Sequence, residues 1–389
     1  MDIPAPEILK KPLEIPNKIL MGAGPANVSP RVLHAISKPI LGHMNQELFQ
    51  IMDEIKEGIK YVFQTRNDLT LAISASGHAG MEAVMSNLLE PGDKVLIAVN
   101  GLWGVRASDM AGRYDAQVVK MTANMGSNFT LREIEYYLQT ESPKLLFIVQ
   151  GETSTGVYQP LEGIGSLCHR YNCLLAVDVV ASVGAVEFLM DRWEIDVAYA
   201  GVQKALGAPP GLTIISFSPR AQKVIFERTT PIKVYYWDMK ILGQQWNCYN
   251  NVRPYHHTTC SALLVGLRES LAIITEAGLK NWQQKHKEGY KQLKKGLEKL
   301  GFEFFVDDES KRLITVTSVV VKDFDWKELV KCAMNKHNVE IAGGLGPTAG
   351  KILRIGVMGY NANPYTIDYV LNALKDALNH SRTYKTAKL

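Results

Sequence analysis

From residue 70 onward, short apolar runs alternate with amphipathic stretches, and this alternation limits what the chain can fold into more than any other feature. The runs LTLAIS, KVLIAVN, QVVKM, KLLFIVQG and CLLAVDVV are short, apolar and continuous, the pattern of strands buried on both faces. Between them, Gly77 to Glu90 sets Met81, Val84, Met85 and Leu88 on one helical face, and Leu131 to Gln139 and Leu161 to Tyr171 do so more weakly. Parallel strands need crossover connections, so the predicted architecture is α/β, a mostly parallel central sheet with helices on both faces. DVAYAG and LTIISFS add two strands further along.

Near residue 280 the pattern changes. KNWQQKHKEGYKQLKKGLEKL predicts a long charged helix, followed by strands at FEFFV and ITVTSVVV and a helix at DWKELVKCAMNKH. Strands at VEIAGG and LRIGV and a last helix after Asn363-Pro364 complete the region. The mixture predicts a smaller C-terminal α+β domain. The expected division is an extended N-terminal arm over 1–20, a large domain over 21–280 and the small domain over 281–389. A chain of 389 residues is long enough for two cores. The proline-spaced arm is expected to lie across one of them.

Composition excludes several classes. With 46% hydrophobic and 21% charged residues the chain is neither disordered nor fibrous. The net charge of +4 comes from scattered Lys and Arg, with no basic stripe interleaved with aromatics, so nucleic acid is not an expected partner. No run reaches the roughly 18 apolar residues of a membrane span, and a membrane is not expected either. Cys168, Cys173, Cys248, Cys260 and Cys332 include no C-x-x-C pair, which predicts free, mostly buried thiols. The N-terminal stretch lacks the marks of a secretory or transit peptide. The chain ends Ala387-Lys388-Leu389, of the S-K-L type, and the expectation drawn from it is the peroxisome, reached through an import receptor that reads the tripeptide.

In open α/β sheets, ligands bind beyond the carboxyl ends of strands, and three groups fall there. Ser74 to Gly80 (SASGHAG) follows a strand and opens a helix, where free amides and the helix dipole make an anion seat; an ordinary capped helix start is the alternative. Asp178 ends an apolar strand, either as a helix cap for the segment after it or as the partner of a protonated ring nitrogen. Lys204, in AGVQKALGAPPG, ends the next strand; it is either a surface lysine with its ammonium in water or a buried amine with a lowered pKa. A reactive amine, an acid for a pyridinium nitrogen and a phosphate seat are the parts that pyridoxal 5'-phosphate requires. His256 and His257 are adjacent and lack metal-ligand spacing, so they are read as structural and no metal is expected.

The segments QTRNDLTLAISASGHAGMEA, GETSTGVYQPLEG, LLAVDVVASVGA, MDRWEID, GVQKALGAPPG, RPYHHT, GGLGPTAG and LRIGVMG occur in this order. Together they resemble the class-V aminotransferases of the pyridoxal-phosphate fold type I over essentially the whole chain. The resemblance implies that Lys204 carries the cofactor and acts as acid and base, and that Asp178 keeps the ring nitrogen protonated. It implies that Ser76, Gly77, His78 and Gln203 hold the phosphate, that Trp103 stacks on the ring and that Thr153 bonds its phenolic oxygen. Tyr255 and Thr258 are implied to reach the phosphate of a neighbouring subunit, hence a homodimer with shared sites. Arg354 is implied to clamp the substrate carboxylate. Gly24 in GAGPAN is expected to allow close backbone approach, although that loop departs from the family pattern at Ala23 and Ala26.

Gly42 and His43 are implied to shape the small-substrate end of the pocket across the dimer. They favour a small amino donor, alanine or serine, with glyoxylate as acceptor; relatives that use 3-hydroxykynurenine are the nearest alternative. A pyridoxal-dependent lyase or desulfurase lacks its cysteine in a flexible loop, and a nicotinamide oxidoreductase lacks its dinucleotide fingerprint.

Overall fold

The computed structural model describes residues 3–387. Seven strands build the main sheet: β1 (Leu69–Ile73), β2 (Lys94–Val99), β3 (Gln117–Thr122), β4 (Leu145–Val149), β5 (Leu174–Asp178), β6 (Val197–Gly201) and β7 (Thr213–Phe217). Their order is β1-β7-β6-β5-β4-β2-β3, and only β7 runs against its neighbours. Strands β1, β4, β5, β6 and β7 are buried at every position, which is why they are continuous apolar runs. Edge strand β3 is half exposed and carries Gln117 and Lys120. All seven strands expected of this sheet form.

Because β7 is antiparallel to β6, no crossover helix joins them, and the connection carrying Lys204 stays at the carboxyl edge of the sheet. Helices α1 (Gly77–Leu88) and α2 (Leu102–Arg113) begin at that same edge, after β1 and β2. The helix expected over 161–171 is shorter, Ile164–Arg170, because Gly163 with φ of 86° sets its start.

A second sheet contains β8 (Val316–Val320), β9 (Ala342–Gly343) and β10 (Ile352–Gly356) in the order β8-β10-β9, all antiparallel. Two helices, Trp326–His337 and Pro364–Ala387, pack on each other beside it. Two expectations for this region change. FEFFV is not a regular strand: it makes two backbone hydrogen bonds to β8, Phe305 N to Ser318 O at 2.9 Å and Val320 N to Glu303 O at 2.8 Å, while Phe302 and Phe304 turn into the core. VEIAGG splits in two. Val339–Glu340 pairs in parallel with Ile19–Leu20, Ile341 is buried, and only Ala342–Gly343 joins the three-stranded sheet.

Two large hydrophobic cores result, with a small third cluster of Ala26, Ala181, Leu313, Val316 and Met358. One surrounds the seven-stranded sheet; the other holds Met21, β10 and the two C-terminal helices. The long helix Leu279–Lys299 serves both, with Leu279 and Trp282 in the first and Leu293 and Leu297 in the second. The N-terminal arm docks only by its end. Ile3, Ile8, Leu9, Leu13 and Ile15 are exposed rather than laid on a core, and Pro4, Pro6, Pro12 and Pro16 remove the amides that a sheet partner would need. All five cysteines are free, and Cys260 alone among them is exposed.

Candidate active site

A cavity of about 300 Å³ opens where the carboxyl edge of the main sheet meets the second sheet. Ten of the residues singled out from sequence line it: Gly24, Ser76, Gly77, His78 and Trp103, with Thr153, Asp178, Gln203, Lys204 and Arg354. Glu340, Ala342 and Leu345 close it from the small-domain side.

Lys204 is 7% exposed, so the surface-lysine alternative fails. Its carbonyl accepts the Gly207 amide at 3.0 Å, and Gln203 O accepts the Ala26 amide at 2.9 Å, which ties the GAGPAN loop to the lysine. Gly24 has φ of 107°, and a Cβ there would lie 3.0 Å from Lys204 Cε, so both conformation and space demand glycine. Burial pushes the Lys204 amine down to about 8; the negative charges of Asp178 and Glu152 pull against that shift, and Arg354 adds to it.

Asp178 is buried, and burial raises its pKa against the pull of its hydrogen bonds and of Lys204. One carboxylate oxygen accepts the Val180 amide at 2.9 Å and the other accepts the Tyr199 hydroxyl at 2.5 Å. The segment after Asp178 is a run of turns rather than a helix, so the helix-cap alternative is not what it serves. Tyr199 escaped sequence reasoning. It faces Asp178 because the two are register partners across β5 and β6, and register is not written in either strand alone.

Ser76 occupies the cap position of α1 but makes no side-chain capping bond, and α1 opens at Gly77. His78 Nε2 accepts from Arg106 NH1 at 2.6 Å, and its ring meets Trp103 edge-on at 5.6 Å. Burial, reinforced by Arg106, lowers the His78 pKa and favours the neutral ring. The buried Gln203 Oε1 has no hydrogen-bond partner among the described residues. Trp103 is held by its own indole, which donates to Thr153 Oγ1 at 2.8 Å.

Arg354 lies on β10, and its guanidinium donates to Gly343 O at 2.8 Å and to Thr153 O at 3.1 Å. Among the described residues it forms no ion pair. Glu152 was also missed. It is fully buried beside this cavity, and burial pushes its pKa up to about 7.

The structure does not bring Gly42, His43, Tyr255 and Thr258 to this cavity. They gather elsewhere on the surface. The His43 ring packs 5.0 Å from that of Tyr255, the Tyr255 hydroxyl lies 3.3 Å from Thr258 Oγ1, and the Gly42 amide donates to Asn45 Oδ1 at 2.6 Å. Next to them, the two histidines form a chain whose proton positions are set from one end. Tyr235 O can only accept, so His256 Nε2 carries the hydrogen; His256 Nδ1 then accepts from His257 Nδ1 at 2.8 Å, and His257 Nε2 accepts from the Ser74 hydroxyl at 3.0 Å. Burial and the neighbouring ring lower the His257 pKa to about 4, which favours the neutral form of that ring. Among the described residues no group of His, Cys, Asp and Glu is arranged to hold a metal ion, and no helix is long and apolar enough to cross a membrane.

The family model described as aminotransferase class V matches residues 19–363. An alanine–glyoxylate aminotransferase of Drosophila melanogaster is 51% identical over 98% of both chains. Its namesake from Rattus norvegicus is 50% identical over 97% of this chain and 92% of its own. Among solved structures, an alanine–glyoxylate aminotransferase from Nostoc sp. superposes with a TM-score of 0.93 at 41% identity, covering 97% of this chain and all of that one.

Proposed function

The chain belongs to the class-V aminotransferase family, a family of pyridoxal-phosphate enzymes, and we propose that its cavity transfers the amino group of L-alanine to glyoxylate, giving pyruvate and glycine. The observation that carries this reading is the buried Lys204 amine and the buried Asp178 carboxylate lining one cavity. The residues present fit the cofactor. The start of α1 turns its free N-terminal amides to the cavity, and Gln203, which also lines it, carries an NH2 group able to donate to a phosphate. Asp178 and Lys204 supply the acid and the amine that the ring nitrogen and the aldehyde require.

On this reading Ser76, Gly77, His78 and Gln203 hold the phosphate at the start of α1. Trp103 presents its ring face to the cofactor, Thr153 offers its hydroxyl hydrogen while its oxygen accepts from the indole, and Asp178 keeps the ring nitrogen protonated. The bound cofactor supplies an electron sink for the pair left at the substrate Cα. With the cofactor bound, Lys204 would hold and move the proton at the substrate Cα; a pKa of about 8 leaves part of its population unprotonated near neutrality. Arg354 is pre-held by Gly343 O and Thr153 O so that its fork meets the substrate carboxylate. The Gly24 loop packs against the Lys204 side chain.

The working enzyme on this reading is a homodimer. Support comes from the apolar arm residues that this chain leaves exposed and from the outlying His43, Tyr255 and Thr258, which complete the neighbour's phosphate and substrate ends. Gly42 and His43 there favour a small donor, with L-serine as the second candidate. The peroxisome is proposed from Ala387, Lys388 and Leu389, of which Lys388 and Leu389 lie outside the described residues.

A panel of amino donors and 2-oxo acceptors with the purified protein tests the reading, joined to borohydride reduction and peptide mapping. Alanine with glyoxylate should be among the fastest pairs, and the reduced cofactor should sit on Lys204. Faster use of 3-hydroxykynurenine would overturn the donor, and a tag on another residue would overturn the site.

A further inference from the structure

Glu152 sits where no apolar contact requires an acid. It is fully buried, in a two-residue strand, Gly151–Glu152, that pairs with Val157–Tyr158. One carboxylate oxygen accepts the Ser154 amide at 2.8 Å and the other accepts the Trp103 amide at 3.1 Å. The Trp103 amide is in the first turn of α2, whose cap residue, Gly101, makes no side-chain capping bond. A Cβ there would lie 2.3 Å from Glu152 Cδ, so any larger residue would have to displace the carboxylate. The cap is instead supplied from the facing segment, by Glu152 and by Ser154 Oγ, which accepts the Leu102 amide at 2.9 Å. An anion at this helix end is favoured by the dipole and by the free amides.

The contacts close a circuit. Glu152 holds the backbone of Trp103, the Trp103 indole donates to Thr153 Oγ1, and Thr153 is the next residue in the chain after Glu152. The carbonyl of Thr153 in turn accepts from Arg354. Glu152 is also the second buried acid, after Asp178, whose charge acts on Lys204, and its charge acts on Arg354 as well.

We propose that Glu152 is the positioning residue of this cavity: by accepting the Trp103 and Ser154 amides at once, its carboxylate fixes the Trp103 indole and the Thr153 hydroxyl in one relative orientation. The inference rests on reading this cavity as the cofactor site.

Glu152→Gln tests it. The replacement has the same shape, but its NH2 group would face an amide hydrogen, so only one of the two bonds survives. In cofactor-stripped protein the Trp103 indole N–H resonance, assigned by its absence in Trp103→Phe, should shift and broaden. In the loaded enzyme kcat for alanine and glyoxylate should fall about 10- to 100-fold while KM moves less than about threefold, the mark of displaced rather than missing groups. Glu152→Asp keeps the charge but is one methylene short; it should move the resonance the same way by less and give an intermediate kcat. A wild-type resonance and kcat in either variant overturns the proposal, so an unfolded Gln variant leaves the Asp variant to decide. Wild-type protein inactive with every donor would sink the functional reading instead, and the indole measurement on the stripped protein keeps the two failures apart.

Discussion

Two buried aspartates stand at opposite edges of the same sheet, Asp196 just before β6 and Asp178 at the end of β5. Asp196 is spent on structure. Its oxygens accept the Leu175 amide at 2.9 Å, the Ser218 hydroxyl at 2.8 Å and Arg220 NH1 at 3.0 Å. Asp178 accepts one amide and one phenol and, among the described residues, has no hydrogen-bonded cation. The carboxyl edge also holds Glu152 and Lys204, whose pKa values burial moves toward neutrality, to about 7 and about 8. A buried acid that is fully paired stabilises the fold; one left short of counter-charge keeps its charge available for a ligand, at a cost in stability.

That contrast breaks if the two aspartates behave alike on substitution. Asp178→Asn should lower kcat about 10²- to 10³-fold while the melting temperature holds or rises. Asp196→Asn should do the reverse, costing about 3 kcal/mol in denaturant unfolding and leaving kcat per folded molecule unchanged. Equal losses of stability in both would erase the distinction between the two edges.

His286 extends the contrast to a base. It is buried where the long helix meets the small domain, with Nδ1 donating to Trp282 O at 2.8 Å and Nε2 accepting the Gly359 amide at 2.9 Å. Both nitrogens are committed to the neutral form, and burial, helped by Lys285, lowers the pKa from 6.5 to about 4. The unfolded chain therefore binds the extra proton first. Stability should fall as pH drops from 6.5 toward 4, and the loss from this group levels off below that range, at about 3 kcal/mol. Denaturant midpoints across that window should show the slope, and His286→Gln should flatten it; an unchanged slope assigns the acid sensitivity to other groups.

The smallest expected effect separates binding from chemistry within the cavity. Arg354→Lys keeps the charge and loses the fork, so KM for both acids should rise about tenfold with kcat nearly constant. An unchanged KM returns Arg354 to a purely structural tie between β10, Gly343 and Thr153.

Much of this was legible in the chain. The seven main strands were visible because strands buried on both faces must be apolar throughout. Lys204 and Asp178 stood out because each is a charge inside such a run. The N-terminal arm was misplaced because proline spacing shows that a segment is extended without showing what it touches. FEFFV misled because its phenylalanines fill a core without forming a full ladder. Tyr199, Arg106 and Glu152 carried no signal: a tyrosine in a strand, an arginine on a helix and a glutamate beside a glycine are ordinary in sequence.

The sequence by itself determined the layers of this protein and marked Lys204 and Asp178 as charges at the carboxyl edge of the main sheet, because periodicity and the rarity of buried charge are local properties. Only the tertiary structure decided which groups accompany them, because register, burial and the pairing of each charge depend on residues distant in the chain. Asp178 and Asp196 are the same side chain, separated in role by what surrounds them.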